Sequence, residues 1–357
     1  MFFFFQPLYL EQLGADPILI GTILGGVGVA MTIAHLPAGY IADRVGRRPL
    51  LVGSWGLGIL ATWVMALAPS LPIYTIGSIT YGLTAFVSGP LNGYITTARG
   101  KLSVERALTL VFSFFSIGGI IGPITGGWIA EHMGLRWAFL IAAILFIPST
   151  IIMLFISPQP VEVVSPEQRS AGLRKVISTR FFRYLGIVFF AMLVMYLPQP
   201  LSQNFLQNER GVSLNAIGQL GSVLGLGVVF FNLSLGQINA RLGYKLTMII
   251  MSLFTLLIWR GNSFPVYLLG YFCMGSFRTA RALSIAQGRS LVDQANMGFA
   301  YGMIETASSL AIVLAPPLAG WLYTHNPVWI YSLSLPLIVA ALVITNSFIP
   351  RFAEEGS

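Results

Sequence analysis

Four ionisable side chains, His35, Arg278, Arg281 and Glu305, fall inside stretches that are otherwise apolar. A charge is costly to keep in such a stretch, so each is a functional candidate by default. Arg278 and Arg281 stand three residues apart, which puts them on one face of a helix. Two guanidinium groups placed so can bind an anionic solute or set the ionisation of a nearby carboxylate. Glu305 sits about two turns into its own apolar run, either as the partner of one arginine or as a proton carrier in a desolvated site. The plainer alternative is a structural Arg–Glu pair whose arginine stems snorkel toward the interface. His35 reads first as a neutral packing residue and second as a proton-coupling group.

Uncharged polar residues in neighbouring runs add oriented hydrogen bonds, which a solute site in an apolar cavity needs. They are Asn92, Tyr196, Gln199, Gln203, Asn204 and Asn232. Singly, each serves equally well as interhelical glue, worth about 0.6 kcal/mol.

The elements that must position these residues are membrane spans. Of the 357 residues, 55% are hydrophobic and only 9% are charged, against about 25% charged in a soluble domain. Apolar runs recur near 17–42, 49–68, 72–98, 106–131 and 135–157. Six more lie near 181–207, 214–240, 246–260, 263–288, 297–324 and 328–349. Each run of roughly 20 residues crosses a hydrocarbon core of about 30 Å. The net charge of +8 does not point to nucleic acid. By our reading about 15 of the 20 Lys and Arg fall in alternate connections, the positive-inside pattern that sets orientation. The single cysteine, Cys273, offers no disulfide or thiolate–metal framework.

The chain is expected to divide into an N-terminal six-helix bundle (1–157), a polar linker (158–180), a C-terminal bundle (181–350) and a short tail (351–357). The halves repeat. Gly39-Tyr-Ile-Ala-Asp43-Arg44-Val-Gly46-Arg47-Arg48 aligns with Gly236 to Lys245, and Gly122 to Trp128 aligns with Ala315 to Trp321. Two related bundles place a binding site at their interface, near the bilayer midplane. Gln6-Pro7-Leu8 also matches Gln199-Pro200-Leu201, but only five residues precede the first copy. The first helix is therefore expected to be incomplete, the native chain beginning upstream or this form being truncated.

The loop Gly39-x-x-x-Asp43-Arg44-x-Gly46-Arg47-Arg48 resembles the signature loop of the major facilitator superfamily between helices two and three. The resemblance implies an all-α membrane fold of two six-helix bundles related by pseudo-two-fold symmetry. It implies too that Asp43 pairs with Arg47 and faces the start of helix eleven, locking the halves together on the cytoplasmic side. The plainer reading of the same residues is a positive-inside turn. Gly118-Gly119-x-x-Gly122-Pro123-x-x-Gly126-Gly127 is similar to the fifth-helix motif typical of proton-coupled exporters in that superfamily. Its glycines at spacing four also allow close helix packing in any transporter.

The function expected is secondary active transport by alternating access, as proton-coupled export of small amphipathic compounds. Uptake or facilitated movement of a sugar or organic anion is the alternative. A non-transporting receptor or scaffold is a third reading. His35, His132 and His325 are scattered, and no metal-ligand spacing or nucleotide-binding loop is present, so no enzyme, cofactor or metal is expected. The expected partners are a small-molecule substrate, protons and the lipid bilayer of an inner cell membrane. The chain is expected to act as a monomer, without nucleic acid, with the linker and C-terminus cytoplasmic.

Overall fold

The computed structural model describes residues 2–159, 179–288 and 297–348. Most of the 158–180 linker and all of the 351–357 tail fall outside the described residues. Among those described, the regular structure is helical throughout. After a 3-10 turn at Phe2–Phe5 come α1 (Gln6–Gln12), α2 (Pro17–Val45), α3 (Arg47–Leu67), α4 (Leu71–Leu83) and α5 (Ser88–Ala98). Then follow α6 (Val104–Met133) and α7 (Leu135–Leu154). The second half comprises α8 (Thr179–Tyr196), α9 (Ser202–Arg210), α10 (Leu214–Leu235) and α11 (Ala240–Arg260). It ends with α12 (Phe264–Met274), α13 (Ser276–Gly288), α14 (Met297–His325) and α15 (Trp329–Phe348). Eight of these helices are long and apolar enough to cross a membrane. Many of their exposed residues are large and apolar, Phe114 and Phe115 being 73% and 69% exposed. That surface is suited to lipid rather than water.

Four apolar runs do not become single helices as read. The run 181–207 stops at Tyr196 and restarts at Ser202, because Pro198 and Pro200 lack the amide hydrogens a helix needs. The run 263–288 breaks at Gly275, whose Cα side lies against the α10 backbone: an added methyl would stand 2.5 Å from the Gly227 carbonyl carbon. The run 72–98 tightens to a 3-10 turn at Thr84–Val87, where Thr84 Oγ1 donates to Tyr81 O at 2.7 Å. The run 214–240 ends at Leu235, and the helix after it starts at Ala240 rather than 246, capped by Asn239 accepting from Arg241 N at 2.9 Å. Gly46, at φ 84°, turns the chain between α2 and α3, a left-handed backbone that favours glycine.

Helices α2–α7 pack together, and so do α8–α15; the halves meet through α2 against α14 and α6 against α10. Call the side that carries Arg47 and Arg48 the basic face and the opposite side the far face. The halves close on the far face. Along α6 the contacts with α10 run from Glu131 Oε2, which accepts from Asn215 N at 3.2 Å, through Gly127 on Gly218, to Ser222 Oγ donating to Ile120 O at 2.5 Å. Along α2 they run through Gly21, Gly25 and Gly28, which lie on Pro316, Pro317 and Val313 of α14. Gly21 and Gly28 precede Gly218 and Gly225 by about 197 positions each, so the two crossings are copies of one repeat. Toward the basic face the halves part. Every residue of α6 from Thr109 to Gly119 is exposed except the half-buried Ser116, and Leu226, Phe230 and Leu233 of α10 are exposed as well.

The short α1 lies in the far-face closure. Phe2 packs on Tyr81 and Phe139 of the first half, at centroid distances of 5.1 and 5.7 Å, and Phe4 on Tyr271 of the second at 6.3 Å. Its Glu11 carboxylate accepts hydrogen bonds from Asn204 and Asn208 of α9.

Candidate functional site

The opening between the halves on the basic-face side is bounded in the second half by α13. This helix is held on three sides. Leu283 packs on Gly243 of α11, the Thr279 hydroxyl donates to Asn232 Oδ1 of α10 at 2.8 Å, and Tyr184 Oη of α8 donates to Ser284 O at 2.5 Å. On a fourth side Arg281 forms an ion pair with Glu305 of α14 and donates to Ser309 Oγ at 3.1 Å. What remains uncovered is the stripe Arg278, Ala282 and Ala286, all exposed at a spacing of four. Four residues make about one turn, so these three share one face.

Arg281 and Glu305 are 34% and 44% exposed, so the pair borders the opening rather than lying sealed in the core. Glu305 Oε2 is buried and has no hydrogen-bond partner among the described residues. Arg278 has neither a carboxylate nor a hydrogen-bond acceptor among the described residues. It lies within electrostatic reach of Arg281 and of Tyr196, whose ring stacks on Phe277 at 5.2 Å.

The first half contributes polar groups without net charge. His35 Nδ1 donates to Met31 O at 2.6 Å, leaving Nε2 facing Ser88 Oγ at 3.0 Å, which ties α2 to α5. Asn92 is exposed on α5. Gln199 and Gln203 lie elsewhere: both are buried at the helix break beside α9, where Gln199 Nε2 donates to Met195 O at 2.8 Å.

Of the signature loop, Gly46, Arg47 and Arg48 can be placed. Arg47 donates to Gly93 O at 3.0 Å, Thr97 Oγ1 at 2.7 Å and Gln159 Oε1 at 3.2 Å, and Arg48 donates to Leu154 O at 3.1 Å. Both cations therefore bond within the first half. Gly39, Asp43 and Arg44 ride on α2, but beyond their helical backbone they lie outside the described residues, as does the Glu105 side chain. In the fifth-span motif, Pro123 packs on Gly218 and Gly221, and Gly127 on Gly218. Gly126 is buried and Gly122 half-buried, while a methyl at Gly118 would meet nothing within 4 Å.

Sequence reasoning missed the receiving glycines 21, 25, 28, 218, 221 and 225. Their spacing of three or four within apolar runs was the available signal. It also missed the small-residue stripe Ala282–Ala286 beside Arg278 and the contact of Ser309 with Arg281.

Comparison with known proteins agrees with this architecture. Residues 1–199 and 184–355 match the Major Facilitator Superfamily, and the chain belongs to that family of multi-pass membrane transporters. It is 25% identical to the class H tetracycline resistance protein of Pasteurella multocida over 88% of this chain and 82% of that one. It is 26% identical to the multidrug resistance protein MdtG of Escherichia coli over 71% of this chain and 65% of that one. An uncharacterised MFS-type transporter of Methanocaldococcus jannaschii is 24% identical over 69% of this chain, and the match spans 60% of that protein's length. Among solved structures, a variant of the nucleoside transporter NupG superposes with a TM-score of 0.83 at 13% identity, over 97% of this chain and 94% of that one. A D-xylose–proton symporter does so at 0.72 and 14%, over 98% and 92%. These superpositions establish the shared fold.

Proposed function

We propose that this chain is a proton-coupled secondary transporter working by alternating access, with Arg281–Glu305 as its coupling pair. The observation that carries this is the position of Glu305: a carboxylate inside a membrane span, about two turns from the start of α14, ion-paired, and bordering the opening between the halves. A proton delivered there breaks the pair and changes the charge of the solute path, and a solute that disturbs the pair changes its hold on the proton. The far-face glycine crossings and the parted basic face make this one end state of such a cycle. The charge bias of the loops supports a cytoplasmic basic face. In the opposite state the Asp43 loop would meet the start of α14, a favourable place for an anion. Export of small amphipathic compounds is supported by the names of the tetracycline and multidrug resistance relatives.

A second reading, co-transport of an organic anion, is favoured by Arg278, exposed and without a partner among the described residues. The two differ in one sign. In an exporter driven by inward protons, solute and proton exclude each other on the protein; in anion co-transport they reinforce each other. Proteoliposomes carrying a pH-sensitive dye and a panel of cationic, neutral and anionic solutes read that sign directly. Solute-dependent proton movement that disappears in Glu305→Gln is the expected result. Solute movement without protons, unchanged by the substitution, would make the chain a facilitator and sink the coupling role of Glu305.

A further inference from the structure

We infer that the solute carries an anionic group, a carboxylate or sulfonate, that docks on Arg278 with its apolar body alongside Tyr196. This rests on the reading of the inter-bundle opening as the solute path and deepens its second form.

Three observations carry it. First, Arg278 is exposed on α13 without an acceptor among the described residues, whereas its neighbour Arg281 is held by Glu305 and Ser309. An arginine at that depth normally pairs with protein, and one that does not is free for a ligand. A guanidinium meets a carboxylate or sulfonate with paired hydrogen bonds. Second, among the described residues the surroundings hold no competing anion. Between Asp16 and Glu131 the first half has only two carboxylates, Asp43 and Glu105, both at basic-face helix ends. In the second half Glu305 is the one carboxylate within a described span, and Arg281 neutralises it, leaving a local charge of about one positive. A cationic solute entering here meets a net repulsion. Third, the exposed face that carries Arg278 is otherwise apolar. Ala282 and Ala286 keep the same face shallow toward the basic side, and the half-buried Tyr196, stacked on the buried Phe277, lies within electrostatic reach of the guanidinium.

The arrangement also fixes a sign. A proton on Glu305 frees Arg281 from its partner and roughly doubles the positive charge facing the anion. By reciprocity the bound anion favours the proton, so the two load together.

The test compares three solutes that share one fluorescent aromatic body and end in a carboxylate, a primary amide or an ammonium group. Equilibrium binding to the full chain in detergent and flux in proteoliposomes are measured for the wild type, Arg278→Gln and Arg278→Lys. The carboxylate is expected to bind on the order of tenfold more tightly than the amide. That preference should vanish in Arg278→Gln, return in part in Arg278→Lys, and grow as pH falls. Equal binding of carboxylate and amide by the wild type would overturn the inference, as would a carboxylate preference that survives Arg278→Gln. Carboxylate binding that depends on Arg278, with no flux of any solute, would uphold the anion site and defeat the transport reading instead.

Discussion

Gly127 and Gly218 meet backbone to backbone, so that a methyl built on either would stand 2.7 Å from the Cα of the other. At that separation a side chain cannot be absorbed by a rotamer change; the helices must move apart. Gly218→Val is therefore expected to prop the far face open while leaving insertion and folding intact. A reporter for this is Ser222→Cys in a Cys273→Ser background, because Ser222 is buried at the same crossing. Labelling by a membrane-impermeant maleimide should rise severalfold in Gly218→Val, and solute flux should fall by at least about tenfold. Gly26→Ala, whose methyl would meet nothing within 4 Å, should change neither. Unaltered labelling in Gly218→Val would show that the crossing does not gate the far face.

The Glu11 carboxylate, held by Asn204 and Asn208 across the halves, fastens the same face by polar contacts. Charge-assisted bonds of this kind contribute about 1.5–3 kcal/mol when dry. Glu11 is half-buried and Asn208 exposed, so about 1 kcal/mol is the better expectation here. Glu11→Ala should increase Ser222→Cys labelling and lower the melting temperature in detergent, with Glu11→Gln in between. A melting temperature that falls without any change in labelling would assign Glu11 to local stability rather than to closure.

The positions of the membrane spans were legible because length and hydropathy alone decide them. The break in the seventh span was legible in Pro198 and Pro200, since proline carries its effect in its own covalent structure. The break at Gly275 was not, because it depends on where the Gly227 backbone lies, and nothing local to 263–288 announces that. Arg278 and Arg281 show the same limit at the site. Their spacing put them on one helix face, yet which of the two Glu305 would take depended on the relative rotation of α13 and α14. The glycine crossings escaped notice for a related reason: a glycine in an apolar run looks alike whether it faces open space, as Gly26 does, or a partner helix, as Gly25 does.

Arg48 and Lys245 are the same position in the two repeats, and they do the same work. Arg48 donates to Leu154 O at the end of α7, and Lys245 Nζ to Asn346 Oδ1 at 2.5 Å near the end of α15. Each sets a cation against a helix C-terminus, where the dipole favours positive charge by about 0.3–1 kcal/mol. Arg48→Ala and Lys245→Ala should each lower stability by that amount, and the double variant by their sum, the sites lying in different halves. Thermal unfolding at low and at high salt checks this, since the loss should shrink as salt screens the charge. A loss that does not depend on salt would point to packing of the long stems instead.

Arg281 and Glu305 are only partly covered, so their attraction should be modest in stability and large in transport. At 34% and 44% exposure, solvent screening brings the pair to about 1 kcal/mol or less. A double-mutant cycle of Arg281→Ala, Glu305→Ala and the double variant should therefore give a small coupling energy in thermal unfolding. Proton-coupled flux should behave differently. Glu305→Ala should retain Arg278-dependent anion binding but lose its dependence on pH, because the competing carboxylate is gone. Arg281→Ala should leave Glu305 without its cation and weaken anion binding, because the unneutralised carboxylate then repels the solute. The double variant should bind the anion with no dependence on pH. If anion affinity in Glu305→Ala still varied with pH as in the wild type, another group would carry the proton, and His35, bonded between α2 and α5, would be the next to replace.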